Sequence, residues 1–240
     1  MDRLFVFGDS WAFNYFAKEI NPYRPEQRPG FGKKDVIDFV NSFNNFGHWT
    51  DYMAQFYEVI NYAEGGISID DIIHQFGYLN EFKDGDRMLI IFPNPERLQW
   101  FYNNYRGIAN ANAPWLNDIP KTDRKLLLEQ LVARHEAWYE QGLRNNEIRL
   151  LNKLPIFFKK YNPLLLSWDS DLVTSTTSLT LIPVHNSTNY KTIWDESSGK
   201  YVDDHMGIRG NWEVFTFIAN ELKLDISTVK FDNPLEKKMI

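Results

Sequence analysis

The chain has 240 residues, 43% of them hydrophobic and 24% charged, with a formal net charge of −6. That length buries one sizeable core without a second domain, and the acidic balance, with no basic block to reverse it, excludes a nucleic-acid surface. There is no cysteine, which removes disulfides, thiolate chemistry and Cys-based zinc sites, and the five His (48, 74, 135, 185 and 205) lack paired metal-ligand spacing, so no metal site is expected.

Residues 4–7 (LFVF) are a short apolar run of aromatic and branched side chains that stops at Gly8, as a buried parallel strand should. Asp9, Ser10 and Trp11 follow, and residues 12–20 suit a helix. A strand, a Gly-marked turn with a hydroxyl and a helix set Ser10 at the C-terminal edge of a sheet, where ligands of open α/β sheets gather. The helix N-terminus behind it offers free N–H groups to a developing oxyanion. The plainer alternative makes Asp9 or Ser10 only an N-cap.

Residues 21–45 begin with a stretch rich in Pro and Gly, which reads as a surface loop, either one wall of the site or an inert excursion. Residues 46–56 carry Trp49, Met53 and Phe56 at helical spacing, with His48 near the start as a structural residue. Residues 58–62 (EVINY) are the second strand, followed by a Gly65-Gly66 turn. Ser68, Ile69, Asp70 and Asp71 then open a helix with acidic residues in its first turn, and His74 sits inside it as a structural residue.

Residues 83–86 (KDGD) form a turn, and residues 87–92 (RMLIIF) are the clearest strand of the chain. It ends in Pro93-Asn94-Pro95-Glu96-Arg97, where Pro on both sides restricts the backbone at Asn94. Arg97 either faces the same pocket, holding an anionic or polar substrate group, or makes an ion pair elsewhere. Residues 100–118, rich in aromatics and Asn, fit neither one strand nor one clean helix and suit a substrate wall or lid that opens at Trp100. Residues 122–152 form a long helical stretch whose stripe includes Leu126, Leu127, Leu131, Trp138, Tyr139 and Leu143, broken by His135. Residues 100–160 thus read as a helical insertion, able to carry a lid or a dimer contact, inside a single domain of residues 1–240.

Residues 163–168 (PLLLSW) and 178–184 (SLTLIPV) read as further strands, and residues 186–200 as a polar loop. Asp203, Asp204 and His205 precede a final helix marked by Trp212, Phe215, Ile218, Ala219 and Leu222. Residues 225–240 are a polar tail.

Four of these stretches, in this order, resemble the blocks of the SGNH/GDSL hydrolase superfamily. They are Gly8-Asp9-Ser10 after the first strand, Asn61-x-Ala63-x-x-Gly66-x-Ser68 after the second, Asn94 after the third, and Asp203-x-His205 before the last helix. The resemblance spans residues 4–222. It implies an α/β fold, a three-layer α/β/α sandwich with a central parallel sheet of the SGNH-hydrolase or flavodoxin-like kind. It implies Ser10 as nucleophile, His205 as its base and Asp203 as the acid that orients His205. The oxyanion hole it implies comprises the Ser10 N–H, the Gly66 N–H and the Asn94 side chain; Gly lets the main chain come close to a substrate oxygen. Asp9, Trp11, Arg97 and Trp100 would line the substrate.

The sequence departs from the family pattern at Phe92, where Gly is usual, and at Pro95, where Asp is usual. The family generally places the acid three residues before the His; that position is Val202 here, and Asp203 is carried over because the carboxylate need only reach Nδ1. The implied function is a serine esterase that needs no cofactor. Eight Trp and twelve Tyr, with the Asn content, favour short acetyl groups on a carbohydrate, with lipid esters or thioesters as a further reading. The altered third block motivates an alternative, a catalytically weak or inactive carbohydrate-binding or structural module of the same fold, as in a virus particle. No apolar run approaches the roughly 20 residues of a membrane span, and no signal peptide is evident. The expectation is a protein cytoplasmic where it is made, with virion association as one destination.

Overall fold

The N-terminal apolar run forms an interior strand of a parallel sheet. A computed structural model describes residues 1–9, 11, 12, 47–64, 68–76, 79, 82–93, 98–102, 105–109, 125, 129, 133, 143–182, 206 and 208–231. Strand β1 (Arg3–Gly8) pairs parallel with β2 (Glu58–Asn61) on one side and β3 (Arg87–Phe92) on the other. Strand β6 (Leu164–Ser167) continues from β3, and β7 (Thr180–Leu181) closes the sheet, again in parallel. The order is β2-β1-β3-β6-β7.

Strands buried on both faces need apolar residues at every position, which is why LFVF, MLIIF and LLL read as unbroken runs. Leu4, Val6, Leu89, Ile91 and Leu166 enter one core cluster, while Phe5, Phe7, Met88, Ile90, Phe92 and Leu165 enter a second. Helix α1 (Trp49–Met53) and helix α5 (Ile208–Glu221) supply Trp49, Met53, Val214, Phe215 and Ile218 to the first cluster. Helices α2 (Ile69–Gln75), α3 (Leu143–Phe157) and α4 (Ser170–Thr174) supply Ile69, Ile72, Leu151, Leu154 and Leu172 to the second. The division accords with the strand order. The step from β1 to β2 runs one way across the sheet, and the steps from β2 to β3 to β6 run the other, as the two separate core clusters reflect.

Two connections show how local chemistry is satisfied. Pro155 lies inside α3 and has no N–H for the Leu151 carbonyl; the Ser178 hydroxyl donates to that carbonyl instead, at 3.0 Å. Asn152 Oδ1 accepts from Thr177 N at 2.8 Å and so fixes the chain on its way to β7. The region after β3 differs from expectation. Residues 98–109 contain an antiparallel pair, β4 (Leu98–Tyr102) and β5 (Tyr105–Ala109), in a separate two-stranded sheet. Tyr102 pairs with Tyr105, so only Asn103 and Asn104 connect the strands, a length and composition that favour a hairpin. Lys125, Glu129 and Ala133 are helical, and α3 runs on to Phe157, beyond the expected end near Asn152. Among the described residues no helix is long and apolar enough to cross a membrane.

At the N-terminal edge of the sheet, Arg3 and Asp86 form a largely buried ion pair. Arg3 Nε donates to Asp86 Oδ1 at 3.1 Å, and Lys83 N donates to Oδ2 at 2.7 Å across the Lys83–Asp86 turn. Gly85 provides the positive φ of +96° that this turn needs. Burial opposes ionisation of Asp86, but the hydrogen bonds from the Arg3 side chain and from the Lys83 and Arg3 backbones outweigh it and hold the carboxyl below its ordinary range. The Asp86→Ala variant is expected to lose about 3 kcal/mol in urea unfolding at pH 7, because the largely buried carboxylate that accepts from the Arg3 side chain and the Lys83 backbone is removed. The folded value is depressed, so the pair's contribution is complete above 3.8 and is lost as pH falls through the folded value. The gap between wild type and variant should therefore close on acidification below 3.8; a constant gap would refute the assignment.

Candidate functional site

The sheet order reverses direction at β1, and such a reversal opens a crevice outside the C-terminal ends of β1 and its neighbours. The residues that follow those ends are polar and tied to one another. After β1, Ala12 N donates to Asp9 O at 3.0 Å and closes a turn, while Asp9 Oδ1 accepts from Trp11 N at 3.1 Å. Asp9 is 0% exposed. Its Oδ2 faces Trp168 Nε1 at 3.4 Å, and the Trp168 and Trp11 rings stack at 5.5 Å.

The chain leaving β2 is sewn to this turn. Tyr62 N donates to Val6 O at 2.8 Å and Glu64 N to Gly8 O at 3.1 Å, extending the strand pairing past Asn61. Asn61 works in both directions: Oδ1 accepts from Ala63 N at 2.9 Å, and Nδ2 donates to Ala12 O at 2.8 Å. Ser68 and Asp71 then cap α2, with Ser68 N donating to Asp71 Oδ2 at 3.0 Å and Asp71 N to Ser68 Oγ at 3.3 Å. At the end of β3, Ser167 Oγ donates to Phe92 O at 3.2 Å and accepts from Asp169 N at 3.1 Å.

The start of α5 reaches the same region. Asn211 Nδ2 donates to Met206 O at 3.1 Å, and its Oδ1 accepts from Trp49 N at 3.2 Å. Trp49 Nε1 donates to Trp11 O at 3.0 Å. His48 caps α1 as a neutral imidazole: Nδ1 accepts from Thr50 N at 3.3 Å, and the ring also hydrogen-bonds the Trp11 backbone. A buried line of contacts thus joins Met206, the residue after His205, to Trp11, the residue after Ser10.

Burial drives His48 down to about 3, against the Trp11 hydrogen bond, which favours the charged ring. Between 6.5 and about 3 the unfolded chain binds a proton that the folded ring refuses. Stability from this group is therefore full above 6.5 and falls on acidification, by at most about 1.4 kcal/mol per pH unit. The His48→Asn variant retains a neutral capping acceptor and should show a shallower loss of stability from pH ~7 to ~5 in urea titrations. Equal slopes for the two proteins would remove His48 from the account.

Of the residues singled out in the sequence, Asp9 and Trp11 are described directly. Both are buried, Trp11 at 5% exposure, and brace the turn through the contacts above. Trp100 lies in β4. Ser10, Gly66, Asn94, Arg97, Asp203 and His205 lie outside the described residues. The residues adjacent to Ser10 (Asp9 and Trp11), to Asn94 (Pro93) and to His205 (Met206) are described and buried. Asn61, Ser167, Trp168 and Asn211 carry contacts at this edge; Asn61 was read only as the start of the second block, and the other three were given no site role. An Asn or Ser at the last position of a strand was the available signal for the first two; nothing local marks the others. Among the described residues no group of three or more His, Asp or Glu is placed to hold a metal ion.

No family model matches the chain, and no curated protein and no solved structure matches it.

Proposed function

We propose that the chain is a serine esterase that removes short acyl groups, acetyl above all, from a carbohydrate. The observation that supports this reading is the hydrogen-bonded convergence of the described neighbours of Ser10, Gly66 and His205 at one sheet edge. Glu64 N meets Gly8 O, Asn61 Nδ2 meets Ala12 O, and Asn211 and Trp49 link Met206 O to Trp11 O. Nucleophile, oxyanion donors and base must gather from distant parts of the chain in this way for acyl transfer.

In this reading His205, oriented by Asp203, takes the Ser10 hydroxyl proton as Ser10 Oγ attacks the ester carbonyl. The Ser10 and Gly66 N–H groups and the Asn94 amide stabilise the tetrahedral oxyanion, each donor contributing about 3 kcal/mol. Collapse breaks the C–O bond to the alcohol, which leaves with the proton from His205. Water, deprotonated by His205, then cleaves the acyl-enzyme and releases the acid. The chain's own residues supply every group in this sequence. Residues 1–240 act as one three-layer domain, with residues 100–160 as an inserted lid or contact surface.

The test is hydrolysis of p-nitrophenyl acetate, of a longer acyl ester and of an acetylated sugar, with labelling by a fluorophosphonate probe. Turnover with a preference for acetyl, together with labelling at Ser10, supports the reading. Folded protein that neither hydrolyses nor labels overturns it, and direct glycan binding would then mark a carbohydrate-binding module.

A further inference from the structure

Resting on the esterase reading, we infer that Asn211, acting with Trp49, is a positioning residue that holds the Ser10 turn in register with the His205 segment. A Ser–His pair must sit at hydrogen-bond distance, and a misplacement of roughly 1 Å costs about 100-fold in rate. The parallel sheet fixes only one side of this pair. Ser10 lies two residues after the end of β1, an interior strand, whereas His205 precedes helix α5, which contributes to one of the two core clusters.

Aromatic packing holds α5 against α1, with Tyr52 against Trp212 and Phe215 at 5.1 Å each. Ring contacts of this kind define proximity and tolerate sliding. Asn211 adds what packing cannot. Its amide engages two main-chain groups at once, Met206 O through Nδ2 and Trp49 N through Oδ1, and a reversed amide would set oxygen against oxygen and N–H against N–H. The Trp49 N–H is among the orphan donors at the start of α1 and needs such an acceptor. Trp49 then carries the link onward, because its indole N–H is fixed on Trp11 O at 3.0 Å. Asn211 is 2% exposed and Trp49 0%, so these bonds are made with little competition from water. Both ends of the bracket fall on residues adjacent in sequence to the proposed nucleophile and base. Trp49 and Asn211 stand 162 residues apart, so the contact exists only in the folded chain.

Two variants separate this role from simple support of the fold. Asn211→Leu keeps a similar volume without either hydrogen bond, and Trp49→Phe keeps an aromatic ring without the indole N–H. With p-nitrophenyl acetate, each is expected to lower kcat about 10- to 100-fold while KM stays within about twofold. Fluorophosphonate labelling should slow by the same factor, with wild-type circular dichroism. Amide hydrogen exchange in Asn211→Leu should quicken at Trp11 and Met206 together, which a purely local effect on α5 would not produce. If Asn211→Leu fails to fold, Trp49→Phe carries the kinetic test alone. Folded variants that retain full kcat beside an active wild type overturn this inference and leave the esterase reading standing. A wild type that neither hydrolyses nor labels overturns both.

Discussion

The Ser10→Ala variant is expected to lose ester hydrolysis by about 10⁴-fold or more in kcat/KM, with unchanged thermal unfolding. In the proposed mechanism the effect is large because the hydroxyl would be the attacking group, and its removal would leave only binding and the oxyanion donors. His205→Ala should lose activity to a similar extent, and the double variant should be no worse than either single one, since the two residues act as a unit. Additive losses would contradict a shared proton transfer. The measurement is initial-rate hydrolysis of p-nitrophenyl acetate, with fluorophosphonate labelling as an independent count of reactive hydroxyls. Retained labelling of Ser10→Ala would move the nucleophile elsewhere in the chain.

Gly8→Ala is expected to damage stability and activity together. A Cβ at this position would lie 2.8 Å from Ile91 O and 2.8 Å from Ala12 Cβ. Ile91 is main chain of the neighbouring central strand and cannot yield, so the strain falls on the turn from Asp9 to Ala12. Overpacking of this kind costs about 2–3 kcal/mol, or roughly 5–10 °C in Tm for a chain of this size. The same displacement would move the residues on either side of Ser10, so kcat should fall even at temperatures where the variant is folded. Gly85→Ala is the matched control. Its φ of +96° and a 2.8 Å approach to the Asp2 carboxylate also impose strain, but at the opposite edge of the sheet. It should lower Tm and leave kcat unchanged. A Gly8→Ala protein with full kcat would disconnect the turn from the chemistry.

Residues 4–7, 88–92 and 164–166 were legible as strands because a strand buried on both faces must be apolar throughout, and that requirement is local. The start of α2 at Ser68 was legible from the acidic residues of its first turn, whereas α1, expected from residue 46, begins at Trp49 behind a His48 cap that was not read from the sequence. His48 with Asp51, and Ser68 with Asp71, satisfy the first free N–H groups within one turn. The β4–β5 hairpin was missed although its two-residue Asn103-Asn104 connection was in view, because the aromatic and polar residues around it show no clean alternation. The role of Asn61 was half visible: its turn to Ala63 N is local, but its bond to Ala12 O crosses from one strand end to another.

The sequence by itself thus determined the main strands of the parallel sheet, the start of α2 and the order of the candidate blocks, since each depends on side chains a few positions apart. Only the tertiary structure decided that β1 lies between β2 and β3, because parallel apolar strands are alike in composition and no local pattern says which will pair. Only the tertiary structure, too, brought Asn211 between Met206 O and Trp49 N, and Trp168 over Trp11. Hydrogen bonds and ring contacts between residues so far apart in the chain become favourable only after both core clusters have closed and excluded water, and no local pattern encodes them.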